Sequence, residues 1–358
     1  MPGQDDEISR LIVALLDRAD CRANRDQLVE ILSTVVRLAG SSADRLDLKI
    51  TNATLREMVD AFEVFAPYRD VPKVTIFGSS RTQPDAPVYA QARQAARELA
   101  EAGWMVVTGA GPGIMAAGQE GAGPGRSFGV NIRLPFEQGA NAFIASDPKL
   151  VEMKYFFTRK LMLMKESDGF IVLPGGFGTL DEAFELLTLL QTGKAEPAPM
   201  VLLDVPEDSY WGGWETFIRD QVATRALISQ EDLDLFRVTD SAQAATAELL
   251  GFYRNYHSCR WVGEVLVLRM RQLPPPEALE RIRADFADLV SSGTISPSDP
   301  LPAEVRGRDH LELARLTLRF NGRSLGRLRL LIDALNQAPI DRPVPASPPP
   351  APPPVAPG

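Results

Sequence analysis

Residues 169–182 read GFIVLPGGFGTLDE, and this stretch decides the class of fold that the sequence predicts. The apolar run at 169–173 is typical of a short buried strand, and a helical pattern begins near residue 179. A glycine-rich turn joins the two, which is the βα unit of a parallel sheet. Such a turn presents successive backbone N–H groups to an anion, and the helix N-terminus reinforces the attraction. The sequence therefore predicts an anion-binding turn in an α/β protein.

The same alternation of short apolar runs and helical segments extends on both sides of this unit. Because the runs are almost wholly apolar, we expect a Rossmann-like, doubly wound parallel sheet with helices on both faces. Such sheets bind ligands beyond the carboxyl ends of their strands. The predicted strands are 73–77, 104–108, 127–132, 169–173, 199–205 and 236–239, and the predicted helices are 86–101, 113–121, 150–166, 179–192, 212–225 and 241–257.

The regions outside this pattern are expected to form separate parts of the chain. Before the sheet, capping-box spacing at Asn24–Gln27 and at Thr54–Glu57 predicts two helix starts. The apolar stripes that follow them are expected to pack on the next domain or on a second subunit. The predicted organisation is a helical N-terminal extension (1–70), a Rossmann-like domain (71–258), a small α+β appendage (259–338) and a proline-rich tail (339–358).

The appendage reads as two strands and two helices around a polar loop. Leu311 and Leu313 alternate in a different phase from Leu316, so we expect a bulge near Ala314. The tail contains too much proline to form a core and is expected to be disordered or to adopt polyproline II. The predicted elements are a strand at 264–270, a helix at 275–291, a Ser-, Pro- and Gly-rich loop at 292–308, a strand at 310–320 and a helix at 323–336.

Composition excludes several classes of function. The chain has 358 residues, with 38 Lys and Arg against 47 Asp and Glu, for a net charge of −9. This balance disfavours general nucleic-acid binding through phosphate neutralisation. Two cysteines and two histidines rule out a disulfide scaffold and a single-chain Cys/His zinc site. No apolar run is long enough to span a membrane and no signal-peptide pattern is present, so we expect a cytoplasmic protein.

Two further glycine-rich turns follow the first two predicted strands. The first loop, at residues 78–81, carries serines and an arginine that can donate to an anion, although a plain strand-to-helix turn is equally expected. The second loop, at residues 108–115, fails the dinucleotide fingerprint, because residue 114 is isoleucine and no acidic residue follows near Asn131. This failure argues against an NAD-dependent oxidoreductase. The candidate binding residues here are Gly78, Ser79, Ser80, Arg81, Gly109, Gly111, Gly113 and Met115.

The third loop, at residues 174–179, gives the strongest signal. Thr179 is the expected N-cap of the following helix, and Glu182 stands three residues beyond it. Glu182 is therefore either a capping-box partner or a carboxylate directed into a pocket. No Gly-Lys-Ser/Thr sequence follows, so this is not a Walker loop. Arg159 and Lys160 lie on the preceding predicted helix. They are either a pair on the surface or in ion pairs, or cations that line a pocket.

The order and spacing of these residues resemble a known family. Two stretches look like the paired signature of the LONELY GUY (LOG) family: Arg159-Lys160, followed by Pro174-Gly175-Gly176-Phe177-Gly178-Thr179-Leu180-Asp181-Glu182. The resemblance covers residues 73–250 and includes the first two loops and the stretch LPFEQ at 134–138. These are nucleoside 5′-monophosphate phosphoribohydrolases, often labelled lysine decarboxylases. Pyridoxal phosphate chemistry needs a Schiff-base lysine, which the signature does not supply.

The resemblance implies an activity and roles for particular residues. It implies an N-glycosidic hydrolase that releases a free base and ribose 5-phosphate, with no cofactor and no metal, and a homodimer or larger homo-oligomer. Arg159 and Glu182 match the catalytic pair, and Lys160 lies beside them. Ahead of the Arg-Lys pair, this chain carries Tyr-Phe-Phe at 155–157, which resembles many bacterial members of the family. Compact plant members carry Met-His ahead of the same pair. AMP is therefore favoured as substrate over a cytokinin riboside monophosphate. The alternative is a non-catalytic nucleotide sensor. The matched phosphate-binding residues are Pro174, Gly175, Gly176, Gly178 and Thr179.

Overall fold

The computed structural model describes residues 2–133 and 139–339, with side chains from residue 7 onward. The LPFEQ stretch and the tail from residue 340 lie outside the described residues. The chain divides into two compact units, Met1–Met58 and Val59–Gly358. Within the described ranges, no helix is both long and apolar enough to cross a bilayer.

The first unit is helical. It contains α1 (Pro2–Arg18), α2 (Arg25–Ala39) and most of α3 (Arg45–Phe65). Arg25 joins α2 to α1 by donating to the carboxylate of Asp17 at 2.5 Å and to the carbonyl of Val13 at 3.0 Å. The helical character predicted for this region is therefore observed.

Both predicted capping boxes in this region are wrong. Asn24 does precede α2, but its backbone is left-handed and its side chain makes no cap hydrogen bond. Thr54 and Glu57 lie inside α3 rather than at its start. Asp44 caps α3 instead, because its Oδ1 accepts hydrogen bonds from the amides of Leu46 and Asp47, at 2.7 and 2.9 Å.

The second unit contains a seven-stranded sheet in which every strand pair is parallel, as predicted. The strands are β1 (Lys73–Phe77), β2 (Met105–Thr108), β3 (Ser127–Ile132), β4 (Leu150–Met153), β5 (Gly169–Val172), β6 (Met200–Leu203) and β7 (Arg237–Thr239). The helices between them are α4 (Pro87–Glu101), α5 (Ile114–Ala122), α6 (Phe156–Lys165), α7 (Phe177–Gln191), α8 (Tyr210–Phe217) and α9 (Ala242–Phe252).

The strand order places the loops that matter at one edge of the sheet. The order is β4-β3-β2-β1-β5-β6-β7, so the chain winds one way from β1 and the other way from β5. The switch point of this doubly wound sheet lies between β1 and β5, where ligands bind in open α/β sheets. The first loop follows β1 and the third loop follows β5. The fold therefore brings these two loops together.

Several predicted boundaries in this sheet differ from the structure. Residues 150–153 form the edge strand β4, whereas the sequence predicts a single helix over 150–166. The prediction fails there because only Lys154 and Tyr155 separate the strand from the helix, and neither glycine nor proline marks the boundary. The N-cap of α7 is Gly176 rather than Thr179. A π-helical turn, Ile218–Ala223, continues α8. A short 3₁₀ segment also precedes β1, at Ala66–Tyr68.

A second, antiparallel sheet completes the unit, in the order β10-β11-β9-β8. One face packs against α10 and α12 in an apolar core that includes Leu268, Leu318 and Leu331. The strands are β8 (Tyr256–Val262), β9 (Val265–Met270), β10 (Val290–Pro297) and β11 (Ala314–Phe320), and the helices are α10 (Pro276–Asp285), α11 (Pro302–Gly307) and α12 (Leu325–Gln337).

The sequence prediction was incomplete in this second sheet. β8 begins at Tyr256, inside the helix predicted for 241–257. The segment predicted as a loop, 292–308, holds most of β10 and all of α11. β11 begins at Ala314, and its pairing with β9 is continuous, so the predicted bulge at Ala314 is wrong. Leu311 and Leu313 alternate out of phase simply because they precede the strand.

Candidate active site

Ser79 ties the three loops together through its backbone. Its amide donates to the carbonyl of Pro174 in the third loop, at 3.3 Å. Its carbonyl accepts from the amide of Ile114, at the end of the second loop and the start of α5, at 3.0 Å. Gly113 has a positive φ of 67°, and a Cβ there would lie 2.3 Å from the Ser79 carbonyl oxygen. This close approach requires glycine and lets the first and second loops pack directly on each other.

Asn141 holds the second loop from the outside. Its side-chain amide donates to the carbonyls of Ala110 and Gly111, at 3.0 and 2.8 Å, and to Gln119 at 2.6 Å. Its backbone amide also donates to Ala110, which has a positive φ of 62°. Asn141 therefore stabilises a strained turn. Sequence reasoning missed this residue, because a single asparagine in a loop carries no periodic signal.

The third loop opens onto the N-terminus of α7. The first intrahelical hydrogen bond runs from the amide of Leu180 to the carbonyl of Gly176, at 3.0 Å. The amides of Phe177, Gly178 and Thr179 precede that bond, and such amides are left for other acceptors. A Cβ at Gly176 or Gly178 would meet no atom within 4 Å, so the space beside these two residues is open to a ligand.

The inner side of the third loop is packed against protein. Thr179 is buried, and a Cβ at Gly175 would lie 2.2 Å from its hydroxyl oxygen. The Tyr210 hydroxyl donates to the Gly175 carbonyl at 2.5 Å, from the first residue of α8. Tyr210 is a second residue that sequence reasoning missed, since it lies 35 positions along the chain from Gly175. The loop is therefore braced on one side and open on the other.

Arg159 lies at the carboxyl ends of the strands, as a pocket role requires. Its side chain is buried, its Nε donates to the carbonyl of Val130 in β3 at 3.0 Å, and its Nη2 donates to the carbonyl of Gly109 at 3.4 Å. The same Nη2 lies 3.9 Å from the sulfur of Met115. Arg159 thus contacts the second loop, and two of the residues predicted to bind a ligand there, Gly109 and Met115, lie around it.

Glu182 is half-buried on α7, and burial raises its pKa from 4.5 to about 7. The positive charges of Arg159 and Lys160 oppose that rise, because they favour the carboxylate, whereas the neighbouring carboxylates Asp181 and Glu185 add to it. A glutamate of this pKa exchanges a proton at neutral pH, so it can serve as a general base or a general acid. It is not a capping-box partner, since α7 begins at Phe177.

Lys160 is engaged in a different way from Arg159. Its ammonium lies 2.6 Å from a carboxylate oxygen of Asp181 and 2.7 Å from one of Glu185. These pairs join α6 to α7 and raise the pKa of Lys160 against the opposing effect of burial. Lys160 therefore links α6 to the helix that carries Glu182, and its contact with a substrate stays a prediction.

The remaining candidates of the first and second loops differ in exposure. Ser80 and Arg81 are exposed, and the Ser79 hydroxyl accepts from the Arg81 amide at 3.1 Å. A Cβ at Gly78 would lie 2.6 Å from Ile114, and one at Gly111 would lie 2.6 Å from Met115. These glycines are explained by protein packing, and their contact with a ligand stays a prediction.

The assembled features define an anion-binding site with an acid–base group. Open amides at the start of α7 can hold an anion, Glu182 can exchange a proton, and buried Arg159 supplies a fixed positive charge. Across the described residues, no cluster of three or more His, Cys, Asp or Glu side chains is arranged to hold a metal ion. The fold and site therefore describe an α/β protein with open backbone amides, a buried arginine and a titratable glutamate near the switch point of its parallel sheet.

Comparison with known proteins shows which family the central part of the chain resembles. A family model described as "Possible lysine decarboxylase" matches residues 107–249. The chain is 44% identical over 99 residues to the probable cytokinin riboside 5′-monophosphate phosphoribohydrolase LOGL3 of Oryza sativa subsp. japonica, covering 28% of this chain and 44% of the relative. It is 42% identical over 101 residues to LOG3 of Arabidopsis thaliana, a cytokinin riboside 5′-monophosphate phosphoribohydrolase, covering 28% and 43%. Part of the parallel-sheet region of this chain is therefore similar to the LOG family.

The matched part spans less than half the length of either plant relative. Among solved structures, the chain is similar to the molybdenum cofactor carrier protein of Chlamydomonas reinhardtii, with 22% identity and a TM-score of 0.34. That similarity covers 49% of this chain and 94% of the carrier protein.

Proposed function

We propose that this protein hydrolyses the N-glycosidic bond of a nucleoside 5′-monophosphate and releases a free base and ribose 5-phosphate. The observation that carries the proposal is the position of Glu182, with its pKa of about 7, one helical turn beyond an open anion-binding loop. A phosphate held by that loop places the attached ribose near the carboxylate. The plant relatives named above are described as enzymes of this class, which supports the proposal.

Each residue has a defined part in the proposed reaction. The amides of Phe177, Gly178 and Thr179 hold the 5′-phosphate at the helix N-terminus. As the bond from C1′ to the base lengthens, positive charge builds on the ribose, and ionised Glu182 stabilises it. Water adds to C1′ and passes a proton to Glu182. The electron pair of the broken bond stays on the nitrogen of the departing base, which takes a proton from bulk water as Glu182 returns its own.

Arg159 cannot act as a base at neutral pH, because its guanidinium stays protonated. Its Nε and Nη2 are directed at backbone carbonyls, so its position is fixed before substrate binds. We assign it to orienting the substrate and to favouring the ionised form of Glu182, whose pKa its charge lowers. No metal or cofactor enters the scheme.

AMP is the proposed substrate, ahead of a cytokinin riboside monophosphate. The helix that carries Arg159 begins with Tyr155-Phe156-Phe157, and Phe156 and Phe157 are exposed. These aromatic residues stand where compact plant members carry Met-His, which is why an unmodified purine is favoured.

The exposed apolar residues near the site support a homodimer. Phe156, Phe157 and Leu161 on α6 and Phe177 and Phe184 on α7 are all exposed, and Phe177 is 92% exposed although it stands in the third loop. A patch of this kind marks an interaction surface. We propose that a second copy of the chain covers it, and sedimentation analysis of Phe156→Asp, which is expected to be monomeric, tests this assignment.

The activity is tested by incubating the protein with nucleoside 5′-monophosphates and with the matching nucleosides, while free base and ribose 5-phosphate are followed by chromatography. We expect release from AMP and not from adenosine, because the third loop needs the phosphate. Glu182→Gln and Arg159→Ala should keep the fold and lose at least about 100-fold in turnover. Binding of AMP without any base release would instead favour the nucleotide sensor.

A further inference from the structure

A second cavity lies at the opposite end of α7 from the third loop. It has a volume of about 430 Å³, within the range of small-molecule sites. The connection after α7, residues 192–197, forms one side of it, and β8, β9, β11 and α12 form the other. Because α7 has 15 residues, this cavity lies about 22 Å along the helix from the third loop.

One wall of the cavity is aromatic and aliphatic. Trp261 and Phe320 stand with their ring centroids 6.1 Å apart, and Leu266 and Leu325 extend the apolar surface. Trp261 is 49% exposed, although the residue opposite it in the β8–β9 pair, Leu266, is buried. The indole therefore keeps a free surface on which a planar ring can stack.

The polar groups of the cavity include more cations than carboxylates. Lys194 and Arg260 line it, against the single carboxylate of Glu196. Arg260 forms an ion pair with Asp309 through one nitrogen of its guanidinium. A guanidinium has five N–H donors. Lys194 is exposed on the connection after α7, and the ion pairs between described residues do not include it. Arg260 alternates along β8 with Cys259 and Trp261, so its paired guanidinium lies on the other face of the strand. Lys194 is therefore the cation that an anionic group beside the aromatic wall would meet.

Glu196 adds a preference for the ring itself. Glu196 and Cys259 both line the cavity, and burial, together with the negative charge of Glu196, raises the pKa of the Cys259 thiol to about 12. A carboxylate next to the wall accepts a hydrogen bond from a ring N–H. The thiol itself stays protonated and unreactive at neutral pH.

We propose that this cavity is a second ligand site, separate from the proposed reaction, and that it takes a small aromatic anion with a ring N–H donor. The ring stacks on Trp261 and Phe320, the anionic group pairs with Lys194, and Glu196 accepts from the ring nitrogen. The site does not depend on whether the protein hydrolyses nucleotides.

Calorimetric titration with indole-3-carboxylate and with its neutral amide, indole-3-carboxamide, tests the proposal on the full-length protein. We expect saturable binding of the carboxylate with a Kd below about 1 mM, and binding of the amide at least about 10-fold weaker. Equal binding of carboxylate and amide, or no binding of either, overturns the proposal.

Two substitutions locate the bound ligand. Lys194→Gln, in an exposed connection, should weaken the carboxylate about 10-fold and leave the amide unchanged, whereas Lys49→Gln, an exposed lysine that does not line the cavity, should change neither. Ala195→Phe should fill the cavity and abolish binding of both. Base release from AMP should be unchanged in Lys194→Gln. If both cavity variants bind as the parent protein does, the ligand occupies another site and the proposal fails.

Discussion

The side chain of Arg159 occupies the space that a methyl group on Gly109 would need. A Cβ atom at residue 109 would lie 1.8 Å from Nη2 of Arg159, and the same Nη2 donates to the Gly109 carbonyl at 3.4 Å. Gly109 is therefore glycine because a buried guanidinium passes over it, and not because its backbone turns left-handed. The glycine of the second loop and the arginine of α6 form one structural unit.

Substituting Gly109 should therefore impair Arg159 without removing it. We expect Gly109→Ala to displace the guanidinium and to lower turnover of AMP about 100-fold, close to the effect of Arg159→Ala. Gly251→Ala is the matched control, since a Cβ there meets no atom within 4 Å in α9. Steady-state kinetics of the three variants checks the prediction, which fails if Gly109→Ala retains the parental turnover.

The raised pKa of Glu182 predicts a pH-dependent cost to stability. Its pKa rises from 4.5 to about 7 on folding, so the folded protein holds this proton where the unfolded chain has released it. The stability that the proton provides is fully present below pH 4.5 and is lost as the pH rises through about 7. At pH 8 the folded protein therefore carries the whole cost of a partly buried charge.

Glu182→Gln should remove that cost. We expect the variant to be more stable than the parent at pH 8 by about 1–3 kcal/mol, and the difference to shrink towards pH 4.5. Thermal unfolding monitored across this pH range measures it, with Glu98→Gln on α4 as a control for loss of a half-buried glutamate outside the site. A difference that is constant with pH would show that Glu182 does not titrate as described.

Tyr210 braces the third loop through the Gly175 carbonyl. Tyr210→Phe removes this hydrogen bond, which contributes about 1 kcal/mol, and should loosen the phosphate-binding amides. We expect KM for AMP to rise about 5- to 10-fold while kcat changes little. Tyr253→Phe is the matched control, because it removes a hydrogen bond to the Asp168 carbonyl in another part of the fold. An unchanged KM in Tyr210→Phe would contradict the assigned role.

Glu304 is the buried centre of a charged network in the second sheet. Its two carboxylate oxygens accept from Arg269 at 2.9 Å and from Arg315 at 3.1 Å, and these hydrogen bonds lower its pKa despite burial. Glu304→Gln leaves two arginines without their counter-charge and should destabilise the protein by about 3–5 kcal/mol. Chemical denaturation measures the loss, and the exposed Glu277→Gln on α10 should show none.

Acidification should reproduce part of that loss. Because the pKa of Glu304 is lowered on folding, its contribution is present above the ordinary value of 4.5 and is lost as the pH falls below it. Unfolding of the parent protein at decreasing pH should therefore be steeper than that of Glu304→Gln. Parallel curves for the two proteins would be the contrary result.

The positions that sequence predicted well are those where local pattern and tertiary environment agree. The apolar runs at β1, β2, β3, β5 and β6 are buried on both faces, so hydrophobicity alone marks them. The edge strand β4 was missed because it has only four residues, Leu150–Met153, and one of them, Glu152, is exposed. Such a short, partly polar stretch resembles the first turn of the helix that follows it. In the second sheet, β10 was missed because its exposed edge is built from Ser, Gly and Thr.

The sequence by itself determined the doubly wound sheet and the glycine-rich turn of the third loop, since burial and glycine-rich turns are encoded locally. It also singled out Arg159 and Glu182 as candidate site residues. Tertiary structure decided everything that depends on contact between distant segments. It placed Lys160 in ion pairs with α7, supplied Asn141 and Tyr210 as braces of the loops, and raised the pKa of Glu182. Desolvation and hydrogen bonding depend on neighbours that only the folded chain brings together.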